Sequence, residues 1–276
     1  MRPLLTLEVH EALLAAARSG KPSIECTLDL ARSMTMVDVS VAGWRWRGED
    51  FPFLEVCKDR TIYHWANGAF QPAARFTTSL LKLVPTEFGP PTFEIDGIKM
   101  HPTAQVSPYA DAERKVDLIE PQGKVILDTC GGLGYFAAWC LQRRAKRVLS
   151  YEKNPDVIWL RSLNPWSPEA GGILQLEQAD IVQAIGLLHD QSIDAVLHDP
   201  PRFGIAGELY SQAFYEQLGR VLKAKGKLFH YTGTPNKLTS GRDVPAEVAK
   251  RLQRAGFTTS FNGDGVLAEK NKRRGG

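Results

Sequence analysis

Residues 198–204 read His-Asp-Pro-Pro-Arg-Phe-Gly. They follow Ile193-Asp194-Ala195-Val196-Leu197, an apolar run with the length of a buried strand. Proline has no N–H and cannot continue a ladder, so Pro200 and Pro201 stop that strand. The residue before a proline is pushed to extended geometry, which holds both Asp199 and Pro200 extended. An acid followed by rigid carbonyl oxygens offers acceptors and no donor. That is a receptor for a nucleophile bearing N–H, and it aims the lone pair of a held amine at an electrophile. Asp199 and Pro200 are the candidate catalytic residues, with Asp199 also placed to accept a proton. Pro201, Arg202 and Phe203 are candidate substrate contacts; a guanidinium such as Arg202 stacks on a base or pairs with a phosphate.

A second constellation lies upstream. Val125-Ile126-Leu127-Asp128 is an apolar strand ending in an acid, and Thr129-Cys130-Gly131-Gly132-Leu133-Gly134-Tyr135 turns it tightly into a helix. In an open α/β sheet, ligands bind at the carboxyl ends of strands where the order switches. Glycines let the backbone approach such a ligand, and a helix N-terminus faces it with free N–H groups. Glu152 ends the next strand and is placed to accept from both hydroxyls of a ribose. Asp180, in Gln178-Ala179-Asp180-Ile181, follows the third strand, where a carboxylate can accept from an adenine amino group. Three acids at successive strand ends suit an adenosine ligand carrying positive charge. They suit a dinucleotide poorly, because Asp128 would repel a pyrophosphate and the spacing is not G-x-G-x-x-G. The competing role for each acid is helix N-capping.

The elements that position these residues fall into two styles. Residues 23–101 carry strand and hairpin signals: alternation over Ser23–Leu30 and Gly43–Arg47, and turns at Asn67-Gly68 and Asp96-Gly97, where a type I′ turn needs positive φ twice. An amphipathic helix from Thr6 to Gly20 precedes them. From about Lys115, strands alternate with helices: 124–128, 147–152, 174–177, 193–198 and 227–231 as strands; 135–143, 156–163, 181–188, 211–222 and 244–255 as helices. This pattern means a parallel sheet covered on both faces. Phe257–Phe261 and Gly265–Glu269 lie too close for a parallel crossover and must form an antiparallel edge hairpin. The expected domains are 1–105, β-rich, and 106–276, α/β.

Composition narrows the classes. The 276 residues carry a net charge of +3, with 43% hydrophobic and 24% charged residues, which is ordinary for a globular protein and permits a nucleic-acid partner without requiring one. No apolar run reaches the roughly 18 residues of a membrane helix, so a cytoplasmic protein with no membrane partner is expected. Cys26, Cys57, Cys130 and Cys140 form no CxxC pair, and the histidines show no metal spacing, so no metal is expected.

Residues 120–270 resemble a class I S-adenosylmethionine-dependent methyltransferase. Asp128–Tyr135 is similar to the first motif, Glu152 to the ribose acid, Asp180 to the adenine acid and Asp199-Pro200-Pro201 to the fourth motif. The chain also resembles an archaeal-type group of predicted methyltransferases through DTCGGLGY, LNPWS, HDPPRF, GELYSQAFY and HYTG. The resemblance implies a Rossmann-like seven-stranded sheet with S-adenosyl-L-methionine held by Asp128, Cys130, Gly131, Gly132, Gly134, Tyr135, Glu152, Lys153, Asp180, Ile181 and His198. It implies methyl transfer to a nitrogen, with RNA the leading substrate class, and substrate contacts at Pro201, Arg202, Phe203, Tyr210 and Tyr231. Nitrogen methyltransferases of the Asp-Pro-Pro-aromatic type stack that aromatic on a flipped base; here Arg202 takes the position and Phe203 follows.

Two alternatives stand beside this reading. Gly207–Tyr215 resembles the stretch after the fourth strand of spermidine synthases, which transfer an aminopropyl group, and a small-molecule amine is another acceptor class. Carbon-5 methylation of uridine needs a cysteine on a later loop, and no cysteine follows Cys140. Trp44-Arg45-Trp46-Arg47 interleaves rings and cations as single-strand binders do, or is a strand with its rings packed. Trp166 is expected near the adenine. A homodimer is an open possibility for the β-rich front.

Overall fold

The computed structural model describes residues 2–202, 204, 206–233 and 243–272. Phe203, Thr234, Pro235 and the basic residues Arg273 and Arg274 lie outside the described residues. The chain divides into two compact units, Met1–Ala110 with Trp159–Ser167, and Asp111–Ile158 with Pro168–Gly276. The division falls a little beyond residue 105 and gives Trp159–Ser167 to the front unit. Side-chain chemistry explains that exchange. The Arg75 guanidinium lies 3.9 Å over the Trp159 ring, and the Trp166 indole N–H donates to the Leu30 carbonyl at 2.9 Å. Trp166 is thereby tied into the front unit.

The front unit begins with β1 (Leu4–Leu5) and α1 (Leu7–Arg18). Thr6 caps α1 by accepting from the Val9 N–H, and Val9, Leu13, Ala16 and Ala17 form its buried face. One sheet runs through β2 (Ser23–Cys26), β3 (Thr35–Ser40), β4 (Gly43–Trp46) and β5 (Glu49–Phe51). β6 (Tyr63–Ala66) joins β1 to β7 (Ala69–Pro72), and β8 (Ala74–Phe76), β9 (Leu80–Val84), β10 (Thr92–Ile95) and β11 (Ile98–Lys99) make the third sheet. Asn67 and Gly68, and Asp96 and Gly97, all have positive φ, as their hairpins require. In β4 the packed alternative holds: Trp44 and Trp46 are buried, Trp44 stacks on Phe51 at 4.5 Å, and Arg45 faces outward to Asp50.

The back unit opens with a helix absent from the expectations above, α2 (Pro108–Ile119). Then come β12 (Val125–Asp128), α3 (Tyr135–Gln142), β13 (Arg147–Glu152), α4 (Pro155–Leu163, shared between the two units), β14 (Leu174–Gln178), α5 (Ile181–Ala184), β15 (Ile193–His198), α6 (Gln212–Val221), β16 (Leu222–Tyr231), α7 (Val244–Arg254), β17 (Phe257–Asn262) and β18 (Gly265–Lys270). The seven strands lie in the order β14-β13-β12-β15-β16-β18-β17, parallel except for β18, which runs antiparallel to both neighbours. Two expected helices are shorter. α5 tightens into a 3₁₀ turn at Ile185–Leu187, and α6 stops at Val221 because β16 starts at Leu222, with Lys225-Gly226 inside a strand irregularity. Tyr215, Leu218, Val221, Leu228, Leu252 and Val266 form the core beneath this sheet.

Gly265 lets β18 enter beside β16. A Cβ there would sit 2.5 Å from the His230 carbonyl oxygen and 2.5 Å from Phe229 Cζ. The oxygen belongs to a strand and cannot step aside, so Gly265→Ala should destabilise the protein by about 1–3 kcal/mol. Urea unfolding measures this; a wild-type midpoint would show that the strand has room to shift.

Candidate functional site

The sheet order reverses between β12 and β15, which opens a crevice at their carboxyl ends. Asp128 and Leu197 are partners there. Gly132 and Gly134 adopt the left-handed conformation, with φ of 48° and 81°. Gly134 caps α3 without any side-chain hydrogen bond, so backbone N–H groups front this end of the helix. The Gly131 N–H donates to the Tyr151 carbonyl at 2.7 Å, tying the turn to β13.

Glu152 reaches across from the end of β13. One oxygen accepts from the Gly132 N–H at 2.9 Å and the other from the Asn154 N–H at 2.8 Å. The carboxylate is half-buried and oriented by these two N–H groups. Asp128 has a different place. It is 1% exposed and accepts from the Ser150 hydroxyl at 2.8 Å, so it braces the strand ends from within. Asp180 caps α5, accepting from the Val182 N–H at 2.9 Å, and its second oxygen pairs with Lys153 at 2.7 Å. Burial alone would raise its pKa, but Lys153 and the Val182 N–H together pull it below the ordinary carboxylate value. Tyr135 and Ile181 are buried supports. Burial and the nearby Glu152 push the Cys130 thiol well up, which keeps it protonated.

His198 is an internal brace of the strand ends. It is fully buried. Its Nε2–H donates to the Leu209 carbonyl at 3.1 Å, and Nδ1 accepts from the Thr129 hydroxyl at 2.6 Å. His230, its partner on β16, meets it at 4.4 Å between ring centres. His230 Nδ1–H donates to the Tyr231 carbonyl, and Nε2 accepts from the Tyr215 hydroxyl at 2.9 Å. Both rings are therefore satisfied as neutral tautomers. Tyr210 is likewise internal, 4% exposed, with its hydroxyl donating to the Pro201 carbonyl at 3.1 Å. Tyr210 and Pro201 thus fix the loop after β15, while Pro201 and Arg202 are exposed.

Asp199 stands at the end of β15, half-buried, and its neighbours were not foreseen. Lys115 on α2 is 2% exposed. Its Nζ lies 2.8 Å from Asp111 Oδ2, 3.5 Å from Asp199 Oδ2 and 3.9 Å from Asp264 Oδ2, and 4.1 Å over the Tyr231 ring. Arg114 joins Asp111 at 3.1 Å to Asp264 at 2.6 Å. Burial would lower the Lys115 pKa, but Asp199, Asp111 and Asp264 raise it above the ordinary lysine value. Burial raises the Asp199 carboxyl; Lys115 opposes this, while Asp111 and Asp264 add to it. A sequence signal for α2 existed. Ser107-Pro108 is a cap followed by proline at the first helical position, the Ser107 hydroxyl accepts from the Ala110 N–H, and Ala112, Val116 and Ile119 recur at helical spacing.

The seven-strand order with its inserted antiparallel strand is a Rossmann-like α/β architecture. A spermidine synthase solved with the transition-state analogue AdoDATO shares it, with TM-score 0.58, 14% identity and coverage of 74% of this chain and 76% of that one. A putative S-adenosylmethionine-dependent methyltransferase from Listeria monocytogenes aligns with TM-score 0.44, 12% identity and coverage of 59% of this chain and 100% of that one. At 14% identity the likeness to the spermidine synthase is one of fold. No protein-family model matches the chain. An uncharacterized protein from Methanocaldococcus jannaschii is 44% identical over 207 residues, 74% of this chain and 70% of that protein, and the chain belongs to that protein's family. Among the described residues no helix is long and apolar enough to cross a membrane, and no His, Cys, Asp and Glu cluster can hold a metal.

The neutral histidines make stability depend on pH. Burial lowers the His198 pKa to about 4 and that of His230 well below its ordinary value. The unfolded chain then binds more protons below pH about 6.5, so stability is complete above that value and falls as pH drops toward 4. His198 alone should account for a loss on the order of 3 kcal/mol by pH 4. Asp180 acts only below the carboxylate range, and Asp199, whose pKa is raised, works in the other direction. Unfolding measured from pH 7.5 to 4 should show this slope in wild type and a flatter one in His198→Gln; equal slopes would remove the histidine from the account.

Proposed function

We propose that this protein is an S-adenosylmethionine-dependent methyltransferase acting on a nitrogen, with an RNA base the leading acceptor. The observation that carries the reading is the pair of carboxylates facing the crevice from two strand ends: Glu152, oriented by the glycine turn, and Asp199, held after β15. The residues fit the cofactor. Glu152 would accept from its ribose hydroxyls, Asp180 from its adenine amino group, and the Gly131-Gly132-Gly134 turn with the α3 N-terminus would meet its carboxylate. S-adenosylmethionine supplies a methyl group activated by a positively charged sulfur.

The chain's own work is positioning. Asp199 Oδ2 faces Lys115, which leaves Oδ1 to accept from the acceptor's N–H. Orientation of this kind contributes up to ~7–11 kcal/mol in well-ordered systems. A carboxyl raised by burial is also a stronger base, so Oδ1 is a suitable first proton acceptor as the nitrogen loses its hydrogen. The likeness of Asp199-Pro200-Pro201 to enzymes that take a flipped base, with exposed Arg202 beside it, supports a base as acceptor. The front residues 1–105 are proposed to recognise substrate or a second subunit in the cytoplasm.

A second reading, aminopropyl transfer to a polyamine, draws on the three carboxylates Asp111, Asp199 and Asp264 gathered on one side of the crevice. Competition between S-adenosylmethionine and its decarboxylated form decides it: clearly tighter binding of the latter, with aminopropyl transfer, would install that reading.

Calorimetry should show S-adenosylmethionine binding that Glu152→Ala weakens at least several-fold, and unchanged affinity would remove Glu152 from the site. For chemistry, Asp199→Ala should keep cofactor affinity and lose roughly one to two decades in single-turnover rate, the worth of one charge-assisted hydrogen bond. Asp199→Asn should recover part of that loss if Asp199 only orients, and none if it takes the proton. A wild-type rate in Asp199→Ala would reduce the loop to a strand stop.

A further inference from the structure

Three carboxylates beside a crevice form an attractive place for an external alkylammonium. Here that place has an internal tenant. Lys115 Nζ lies within 4.0 Å of Asp111, Asp199 and Asp264, and its cation rests on the Tyr231 face, with Phe136 at 5.8 Å. These are the features that would recognise a substrate ammonium: anions around it and an aromatic face beneath it. The side chain of Lys115 is 3% exposed, so it is enclosed and does not sweep through solvent. Arg114 holds Asp111 and Asp264 from the outer side. The three acids and two cations leave one net negative charge; without Lys115 there would be two.

We propose that Lys115 is the specificity-determining residue of this site: its ammonium fills the cation position formed by Asp111, Asp199, Asp264 and Tyr231, so the nitrogen that reaches Asp199 is uncharged. The inference rests on the placement of the acceptor at Asp199 and names its class. A neutral aromatic or amide-type amine, such as a nucleobase presents, donates N–H to Asp199 Oδ1 and needs no neutralising anion. A polyamine would have to add a second ammonium beside Lys115, and like charges about 4 Å apart repel. Lys115 also opposes the burial of Asp199, holding its carboxylate available as an acceptor.

The test needs no known substrate. Lys115→Ala removes Cγ, Cδ, Cε and Nζ, the heavy-atom outline of propylammonium. Calorimetry and thermal shift with methyl-, propyl- and hexylammonium chloride, against sodium chloride at equal ionic strength, should show propylammonium binding to Lys115→Ala at least several-fold tighter than the other two. Wild type should show no such preference, and Lys115→Ala with Asp199→Asn should lose it. A folded Lys115→Ala without length-selective binding overturns the proposal. A second measurement stands if that variant does not fold: putrescine and spermidine titrated into wild type and Asp199→Asn. Absence of Asp199-dependent binding supports the filled position, and polyamine binding that Asp199→Asn abolishes overturns it. Both readouts are independent of the S-adenosylmethionine titration with Glu152→Ala, so failure here is distinguishable from failure of the cofactor assignment.

Discussion

A buried ammonium must be neutralised, and much of the back unit follows from that constraint. The effective cost of taking Lys115 out of water is several kcal/mol, repaid only where geometry is good and every proton finds an acceptor. Three separate pieces of chain meet it: α2 brings Asp111 one helical turn away, Asp199 follows the end of β15, and the β17–β18 turn presents Asp264. Each alone would be an ordinary surface acid. Together they fix where α2 lies against the strand ends, because displacing any one leaves a charge uncompensated.

That convergence depends on close approach elsewhere. Asp264 reaches Lys115 because β18 enters the sheet antiparallel beside β16, and it does so where residue 265 has no side chain to strike the His230 carbonyl. Below this level lie His198 and His230, neighbours across β15 and β16. A single charge there would face burial with no counterion. Four hydrogen bonds to Thr129, Leu209, Tyr215 and Tyr231 hold the rings neutral, tying the glycine turn after β12, the loop after β15 and α6 to the same strand ends. Rigidity in this region comes from polar groups with defined partners, which specify one arrangement where apolar packing alone admits several.

Most of the fold could be read from the chain because periodicity and turn chemistry are local. The β12–α3 turn, the strand pairs and the Asn-Gly and Asp-Gly hairpins announce themselves within a few residues. So did Glu152 and Asp199, since strand ends in an α/β sheet predict where side chains gather. What escaped is long-range. Asp111 and Lys115 look like a solvated i,i+4 ion pair, and only the return of Asp199 and Asp264 from distant parts of the chain turns them into part of the site. The burial of His198 and Tyr210 escaped for the same reason: packing on both sides is invisible locally. Asp180 is the N-cap that its residue type suggests, and its second oxygen pairs with Lys153.

The front of the crevice and its floor thus carry opposite requirements. The floor is closed, and its groups are held in the protonation states that cost least when buried: neutral histidines, protonated tyrosines and a thiol. At the front, backbone N–H groups orient both oxygens of Glu152, and Lys115 faces one oxygen of Asp199. A carboxylate held in one orientation binds with direction, because the protein has fixed where its oxygens point. The sheet provides that orientation twice, because β13 and β15, parallel strands on either side of β12, end at the same edge of the sheet.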